Sequence, residues 1–88
     1  MPELSRFGGM IIYMLFRDIG QHHKPHVHVY YGEYEAVIGI DGELLAGSLP
    51  RKQLKILTGW LTFHEAEAYK AWNFAVQGEH FDKIPPME

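Results

Sequence analysis

The stretch HVHVYYGEYEAVIGIDGELLAGS, residues 26–48, contains the period and the turns that decide the fold. In HVHVYY, His26, His28 and Tyr30 alternate with Val27 and Val29. A β-strand places alternate side chains on opposite faces of a sheet, so this pattern predicts a strand with one apolar face. Two more apolar runs follow, YEAVIGI after the dipeptide GE and ELLAGS after DG, and both dipeptides are typical of tight hairpins.

A further strand is predicted before this stretch. The run MIIYMLF, residues 10–16, is rich in β-branched and aromatic residues and ends at the turn-like RDIGQHHKP. Gly8 and Gly9 precede it, and we interpret them as a flexible entry to the strand. Residues 1–49 are therefore predicted to form a four-stranded antiparallel meander.

The second half of the chain has the pattern of helices. Pro50 stands where the first turn of a helix tolerates proline, and Leu54, Leu57 and Leu61 then form an apolar stripe. Thr62 and Glu65 have the spacing of a capping box, which predicts that a second helix begins near Phe63 and ends at Gln77, before Gly78 as a left-handed cap.

One continuous helix from Pro50 to Gln77 is the alternative. It would be about 42 Å long, whereas a domain of this size has a radius of gyration of about 12 Å. We therefore predict an α+β domain in which a helical hairpin, residues 50–78, packs on one face of the sheet. An extended tail, residues 79–88, completes a single domain over residues 1–88.

The composition of the chain excludes several functional classes. The 88 residues include no cysteine, which excludes disulfides and cysteine-based metal or nucleophile sites. The amino terminus lacks the pattern of a signal peptide, and the longest apolar run, Met10–Phe16, is too short to cross a bilayer. The prediction is a cytoplasmic protein without a membrane segment.

The formal net charge is −3, whereas dedicated nucleic-acid-binding domains are usually strongly basic. RNA is therefore a partner that the net charge does not favour. Two local groups of cations remain as candidates. Arg17 and Lys24 lie close to the histidines, and Arg51, Lys52 and Lys55 crowd the start of the first predicted helix.

The histidines support three hypotheses. If the valines meet the helices, then His26, His28 and Tyr30 occupy the open side of the sheet, and the simplest interpretation is a half-exposed polar face. A His-x-His pair on a strand can also supply two zinc ligands. The third ligand would be His22, His23 or Asp18 from the preceding turn, or Glu35 across the hairpin. Alternatively, His26 and His28 act as base and acid in RNA cleavage, with Lys24 or Arg17 stabilising the charged transition state.

Several short motifs together resemble a known family. They are Ser5-Arg6-Phe7, Gly9, Pro25-His26-Val27-His28-Val29, Tyr34-Glu35-Ala36, Asp41-Gly42-Glu43, Gly47-Ser48-Leu49-Pro50 and Trp60. In these the chain resembles the domain of unknown function 4160 family. The resemblance implies a small prokaryotic cytoplasmic protein that is encoded beside a second small protein, often of the domain of unknown function 2442 family. That arrangement suggests a toxin–antitoxin-like pair.

The combined expectation is an interaction protein that binds a co-encoded partner. Its predicted binding surface includes Tyr30, with the two histidines beside it, and the basic residues Arg51, Lys52 and Lys55. A homodimer is a further expectation. A metal-independent ribonuclease that uses His26 and His28 is the second hypothesis, and a zinc-binding module is the third; the first two need no cofactor.

Overall fold

Within residues 3–14 and 24–87, which the computed structural model describes, five strands form one antiparallel sheet in chain order. Two helices follow the strands, so the predicted α+β class is confirmed. The elements are β1 (Glu3–Phe7), β2 (Met10–Tyr13), β3 (His26–Tyr31), β4 (Tyr34–Gly39), β5 (Leu44–Gly47), α1 (Arg51–Phe63) and α2 (Glu65–Val76).

The predicted count of four strands was wrong because β1 was missed. Gly8 and Gly9 are not a flexible entry but the two-residue turn of the β1–β2 hairpin, in which Phe7 pairs with Met10. Their φ angles are 57° and 77°, and a turn with two positive φ angles matches the right-handed twist of the strands that it joins. The strand predicted over residues 10–16 ends at Tyr13, and its last two residues lie outside the described part of the chain.

The alternation in β3 sorts the whole sheet into two faces. Val27 and Val29 are completely buried, and they join the hydrophobic core together with residues of both helices. On the same face the ring of Phe7 lies 5.0 Å from the ring of Trp60 in α1. We call this side of the sheet the core face. The prediction that the valines of β3 meet the helices is confirmed.

The helical segment bends at a single residue. The chain's helical hydrogen bonds continue on both sides of His64, from His64 N–H to Trp60 O and from Ala68 N–H to His64 O. A helical hairpin has a loop of about two to five residues, so segment 50–78 is a bent pair of helices and not the predicted hairpin. None of the helices in the described ranges is long and apolar enough to cross a membrane.

The capping box was also placed wrongly. Thr62 lies inside α1, where its hydroxyl donates to the backbone oxygen of Thr58, one turn earlier. His64 occupies the cap position of α2, and no side chain caps that helix end. Gly78 does have the left-handed conformation that was predicted for it, with φ 73°, and its N–H donates to Ala75 O.

Residues 79–87 have no regular secondary structure but are anchored to the body. Phe81 and Ile84 are buried in the core, and Trp60 donates its indole N–H to Pro85 O at 2.9 Å. Ile84 N–H donates to Leu4 O, and Leu4 has no partner in the β1–β2 register. The tail thus supplies a backbone hydrogen bond to β1, which is one edge of the sheet.

Gly47 carries the most restrictive backbone position in the sheet, and replacing it tests the β4–β5 register. Its φ is 74°, and an added Cβ would lie 2.1 Å from Glu35 O. We expect Gly47→Ala to lower the free energy of unfolding by at least about 3 kcal/mol. The added Cβ would push backbone atoms of β4 away, and the alanine would also have to keep a strained positive φ angle. Urea unfolding monitored by tryptophan fluorescence measures the change.

Gly32→Ala is the matched control. Gly32 also has a positive φ, 56°, but an added Cβ would meet nothing within 4 Å. We expect this change to cost only about 1–2 kcal/mol, the penalty of the left-handed angle alone. Equal losses for the two variants would contradict the close approach of Gly47 to β4.

Candidate functional site

The side of the sheet opposite the core face carries the candidate site, and we call it the open face. Strand pairing places Ile11 beside Tyr30, Tyr13 beside His28, and His28 beside Val37. Residues paired directly across antiparallel strands point to the same side, so these five side chains form one surface across β2, β3 and β4. None of them belongs to the core cluster that the described residues form with the helices.

Two tyrosines lie at the middle of the open face. The rings of Tyr13 and Tyr30 meet edge to face, with their centroids 5.4 Å apart, and both side chains are half-buried. Burial, followed by the nearby Glu35 carboxylate, raises the pKa of the Tyr30 phenol. Tyr30 therefore keeps its proton at neutral pH, and its O–H donates to the Glu35 carboxylate.

His26 is not on the surface as predicted. Its side chain is completely buried, and its ring lies 5.0 Å from that of Trp72 in α2 and 5.5 Å from that of His28. His26 is the first residue of β3, so a large side chain from the helix layer can reach it at the end of the sheet. The prediction that both histidines share the open face holds for His28 alone, which is half-buried.

A backbone hydrogen bond orients the buried imidazole. His26 Nδ1 lies 2.7 Å from Lys24 O, and since a carbonyl oxygen can only accept, Nδ1 must carry the proton. In the neutral ring Nε2 is then the atom with the lone pair. This arrangement, together with the Trp72 ring, holds the His26 side chain in one orientation as part of the folded structure.

Lys24 forms an ion cluster with two acidic residues from the β4–β5 turn. Its ammonium group lies 2.7 Å from Asp41 Oδ2 and also contacts Glu43 Oε1. A Cβ on Gly39, which pairs with His26, would lie 2.5 Å from Asp41 Oδ1, so the cluster occupies the His26 end of the open face. One cation between two carboxylates gives the cluster a net charge of about −1 near neutral pH.

The ion cluster shifts two pKa values in opposite directions. The Lys24 ammonium, then the Glu43 backbone N–H, holds the pKa of Asp41 below its usual value. Asp41, then Glu43, raises the pKa of Lys24 above its usual value. Both groups stay charged at neutral pH. The two carboxylates therefore already compensate the positive charge with which Lys24 would bind a phosphate.

The residues proposed for RNA cleavage are placed as follows. His26 is buried, His28 lies on the open face, and Lys24 is ion-paired. Arg17, the other proposed cation, lies outside the described residues. General acid–base chemistry needs both imidazoles within reach of the substrate, so this geometry gives the hypothesis little support. RNA cleavage stays a prediction, because Arg17, one of its two proposed cations, is not among the described residues.

Three of the four third ligands considered for zinc lie outside the described ranges. Among residues 3–14 and 24–87, no three histidine, aspartate or glutamate side chains come together in a way that could hold a metal ion. His26 and His28 are close neighbours, and Glu35 completes no such group with them. The other proposed third ligands, His22, His23 and Asp18, are not among the described residues. Zinc binding through His22 stays a prediction.

The basic residues Arg51, Lys52 and Lys55 form a separate surface. They are exposed on α1, whose buried residues Leu57, Trp60 and Leu61 pack on the core side of the sheet. The two parts of the predicted binding surface, Tyr30 and this basic patch, therefore lie on different sides of the molecule. The structure does not bring them together.

Three residues of the open face were missed from the sequence. Ile11 and Tyr13 alternate with Met10 and Ile12, a two-residue period inside MIIYMLF that could have placed them opposite the core. Val37 lies in a continuous apolar run, which carries no such period. The contact of Lys24 with Asp41 and Glu43 has no local signal, since it joins residues that are far apart in the sequence.

Comparison with known protein families identifies the chain. A family profile described as Domain of unknown function (DUF4160) matches residues 9–73, well over half of the sequence. The chain belongs to this family. The DUF4160 match runs from the β1–β2 turn into α2 and includes every residue of the open face, whereas β1 and the tail lie outside it. Searches of curated proteins and of solved structures each found no match.

Acid titration tests the ion cluster. Because the folded-state pKa of Asp41 is lowered, its contribution to stability is present above its unfolded pKa and is lost as the pH falls below about 4. We expect Asp41→Asn to reduce stability at pH 7 and to make little difference at pH 2, where the wild-type carboxyl is protonated too. Urea unfolding at a series of pH values measures the difference.

Asp82→Asn is the control for the removal of a carboxylate. Asp82 is fully exposed in the tail, and its Oδ1 lies 3.8 Å from Nε2 of the equally exposed His80, a surface contact that contributes little to stability. This variant should follow the wild-type pH profile throughout. If Asp41→Asn also follows it, Lys24 and Asp41 do not interact in solution.

Proposed function

We propose that this DUF4160 protein is a cytoplasmic interaction protein whose open face binds a co-encoded small protein. The observation that carries the proposal is the pair of half-buried tyrosines, Tyr13 and Tyr30, with the half-buried Ile11 beside Tyr30. None of the three belongs to the core cluster packed with the helices, and Val37, beside His28 on the same face, is buried. Aromatic residues are enriched at protein interfaces, and they supply a large contact area together with a polar tip.

The charges around this surface favour a protein over RNA. Glu35 is exposed beside Tyr30, and the Lys24 ion cluster adds net negative charge at the other end of the face. Arg6, the exposed cation at the β1 side, is paired with Glu3 at 2.8 Å. A phosphate backbone would meet no uncompensated cation among these residues, whereas a partner with basic side chains around an apolar centre would be complementary.

The toxin–antitoxin-like role is part of this proposal. It rests on the arrangement that the family resemblance implies, in which a second small protein is encoded beside this one. A sheet face suits a stable complex with a protein partner, because such a complex needs no concave pocket. The partner is the product of the neighbouring gene, with basic residues facing Glu35 and Asp41.

Alanine replacements on the open face test the proposal. We expect Tyr13→Ala and Tyr30→Ala each to weaken binding of the neighbouring gene product at least about tenfold, because buried interface tyrosines often contribute 2 kcal/mol or more. Isothermal titration calorimetry measures the affinity, and the urea midpoint of each variant reports whether the fold is kept.

Tyr34→Ala is the matched control. Tyr34 is 45% exposed, and it pairs with Tyr31, which packs against the core, so it lies on the other side of the sheet. This variant should bind the partner within about twofold of the wild type. Equal losses for Tyr30→Ala and Tyr34→Ala, or no binding by the wild type, would refute the proposed surface.

A cleavage assay on the wild type and on His28→Gln tests the ribonuclease alternative. We expect the wild type and His28→Gln to leave a labelled RNA intact, while His28→Gln weakens partner binding because His28 lies beside Tyr13 on the open face. RNA cleavage by the wild type that disappears in His28→Gln would establish the enzyme hypothesis and overturn this one.

A further inference from the structure

The basic patch on α1, which consists of Arg51, Lys52 and Lys55, concentrates positive charge on a chain whose formal net charge is −3. All three side chains are exposed, and within the described ranges none of them pairs with a carboxylate. They differ in this from Lys24, whose charge Asp41 compensates. The basic patch is therefore available to an anionic group from outside the chain.

The positions of these cations do not favour the helix that carries them. Arg51 and Lys55 are four residues apart, and Lys52 and Lys55 are three apart, so like charges are neighbours on the helix surface. The patch also lies at the amino-terminal end of α1, where cations oppose the helix dipole, and the first turn contains no acidic residue. Acidic residues at these positions would stabilise α1 more, so the stability of the helix does not explain the patch.

The three cations surround one wide, shallow depression on the surface of α1. Its fourth lining residue is Ile56, whose side chain is half-buried and packs against the hydrophobic core. The methylene stems of lysine and arginine add further apolar surface around it. The depression thus combines an apolar centre with a cationic rim.

We propose that the basic patch binds an acidic segment of a second protein, in which an apolar side chain lies beside a pair of carboxylates. The carboxylates pair with the cations, and the apolar side chain contacts Ile56. Residues one helical turn apart have their Cβ atoms about 5–6 Å apart, close to the spacing of about 6.5–7 Å between alternate residues of an extended peptide. Two carboxylates of an extended segment can therefore reach Arg51 and Lys55 together.

RNA is the other polyanion that a basic surface attracts, and two features of the depression favour a protein. Proteins that bind single-stranded RNA stack its bases on aromatic side chains, and no aromatic residue lines this depression. Ile56 offers an apolar contact that a phosphate backbone does not use. An acidic segment with an apolar residue matches both parts of the surface.

This inference goes beyond the proposed function and does not depend on it. The open face lies on a different side of the molecule and carries net negative charge, so it favours a partner with basic residues. The basic patch favours the opposite charge. Because the two surfaces are separate, one chain can bind both partners at the same time.

An NMR titration of the full-length chain tests the inference. The probe is a capped twelve-residue peptide that repeats Glu-Glu-Leu, added to isotope-labelled protein at low salt. We expect saturable shifts in the amide signals of residues 51–56, and weaker binding at high salt because the ion pairs are exposed and screened. A peptide with serine in place of each leucine should bind at least about threefold more weakly.

Lys52→Glu tests the patch from the side of the protein. It should weaken peptide binding at least about fivefold. Because it replaces a cation near the amino-terminal end of α1 with an anion, it should also raise the urea midpoint, so that a loss of binding is not a loss of fold. Lys70→Glu makes the same charge change at an exposed position of α2 and should bind within about twofold of the wild type.

Several results would overturn the inference. They are no saturable binding by the wild type, equal losses for Lys52→Glu and Lys70→Glu, and equal binding of the leucine and serine peptides, which would leave only unspecific charge attraction. Tighter binding of a twelve-nucleotide oligouridine at the same amides would assign the patch to RNA instead. None of these outcomes concerns the open face, whose partner is tested separately with Tyr30→Ala.

Discussion

The two-residue period of the central strand β3 is the constraint on which the rest of the structure depends. Val27 and Val29 are buried against the helices, so His28 and Tyr30 must point to the other side. Pairing on both sides extends this division, because a slip of one residue in either neighbouring strand would exchange its faces. The core and the open face are therefore two consequences of one register.

His26 is buried although the alternation of β3 places it on the side of His28 and Tyr30. At this end of β3 the residue paired with His26 is Gly39, which has no side chain, and the Trp72 ring lies 5.0 Å from the imidazole. The ring also donates its Nδ1 proton to the backbone of Lys24, while the Lys24 side chain turns to Asp41. These contacts make the His26 end of the sheet a structural junction between the helix layer and the ion cluster, and they leave the chemistry of the surface to His28 and the tyrosines.

A small domain gains stability by covering its sheet edges, and the tail of this chain covers part of the β1 edge. The tail adds Phe81 and Ile84 to the core and bonds to β1. Among the described residues, no strand pairs with the outer side of β5 at the opposite edge. The β1 edge is thus closed by a tail that lies outside the family match.

Residues close together in the sequence determine three features: the strand alternation of HVHVYY, the hairpin at Asp41–Gly42 and the left-handed Gly78. Membership of the family can also be read from the sequence. The turn at Gly8–Gly9 had a local signal too, but ELSRF before it is too short and irregular to read as a strand. Only the tertiary structure decided that His26 is buried, that Lys24 pairs with Asp41, and that the basic residues of α1 lie away from Tyr30. Local patterns specify backbone conformation through nearest neighbours, whereas burial and ion pairing depend on which distant segments pack together.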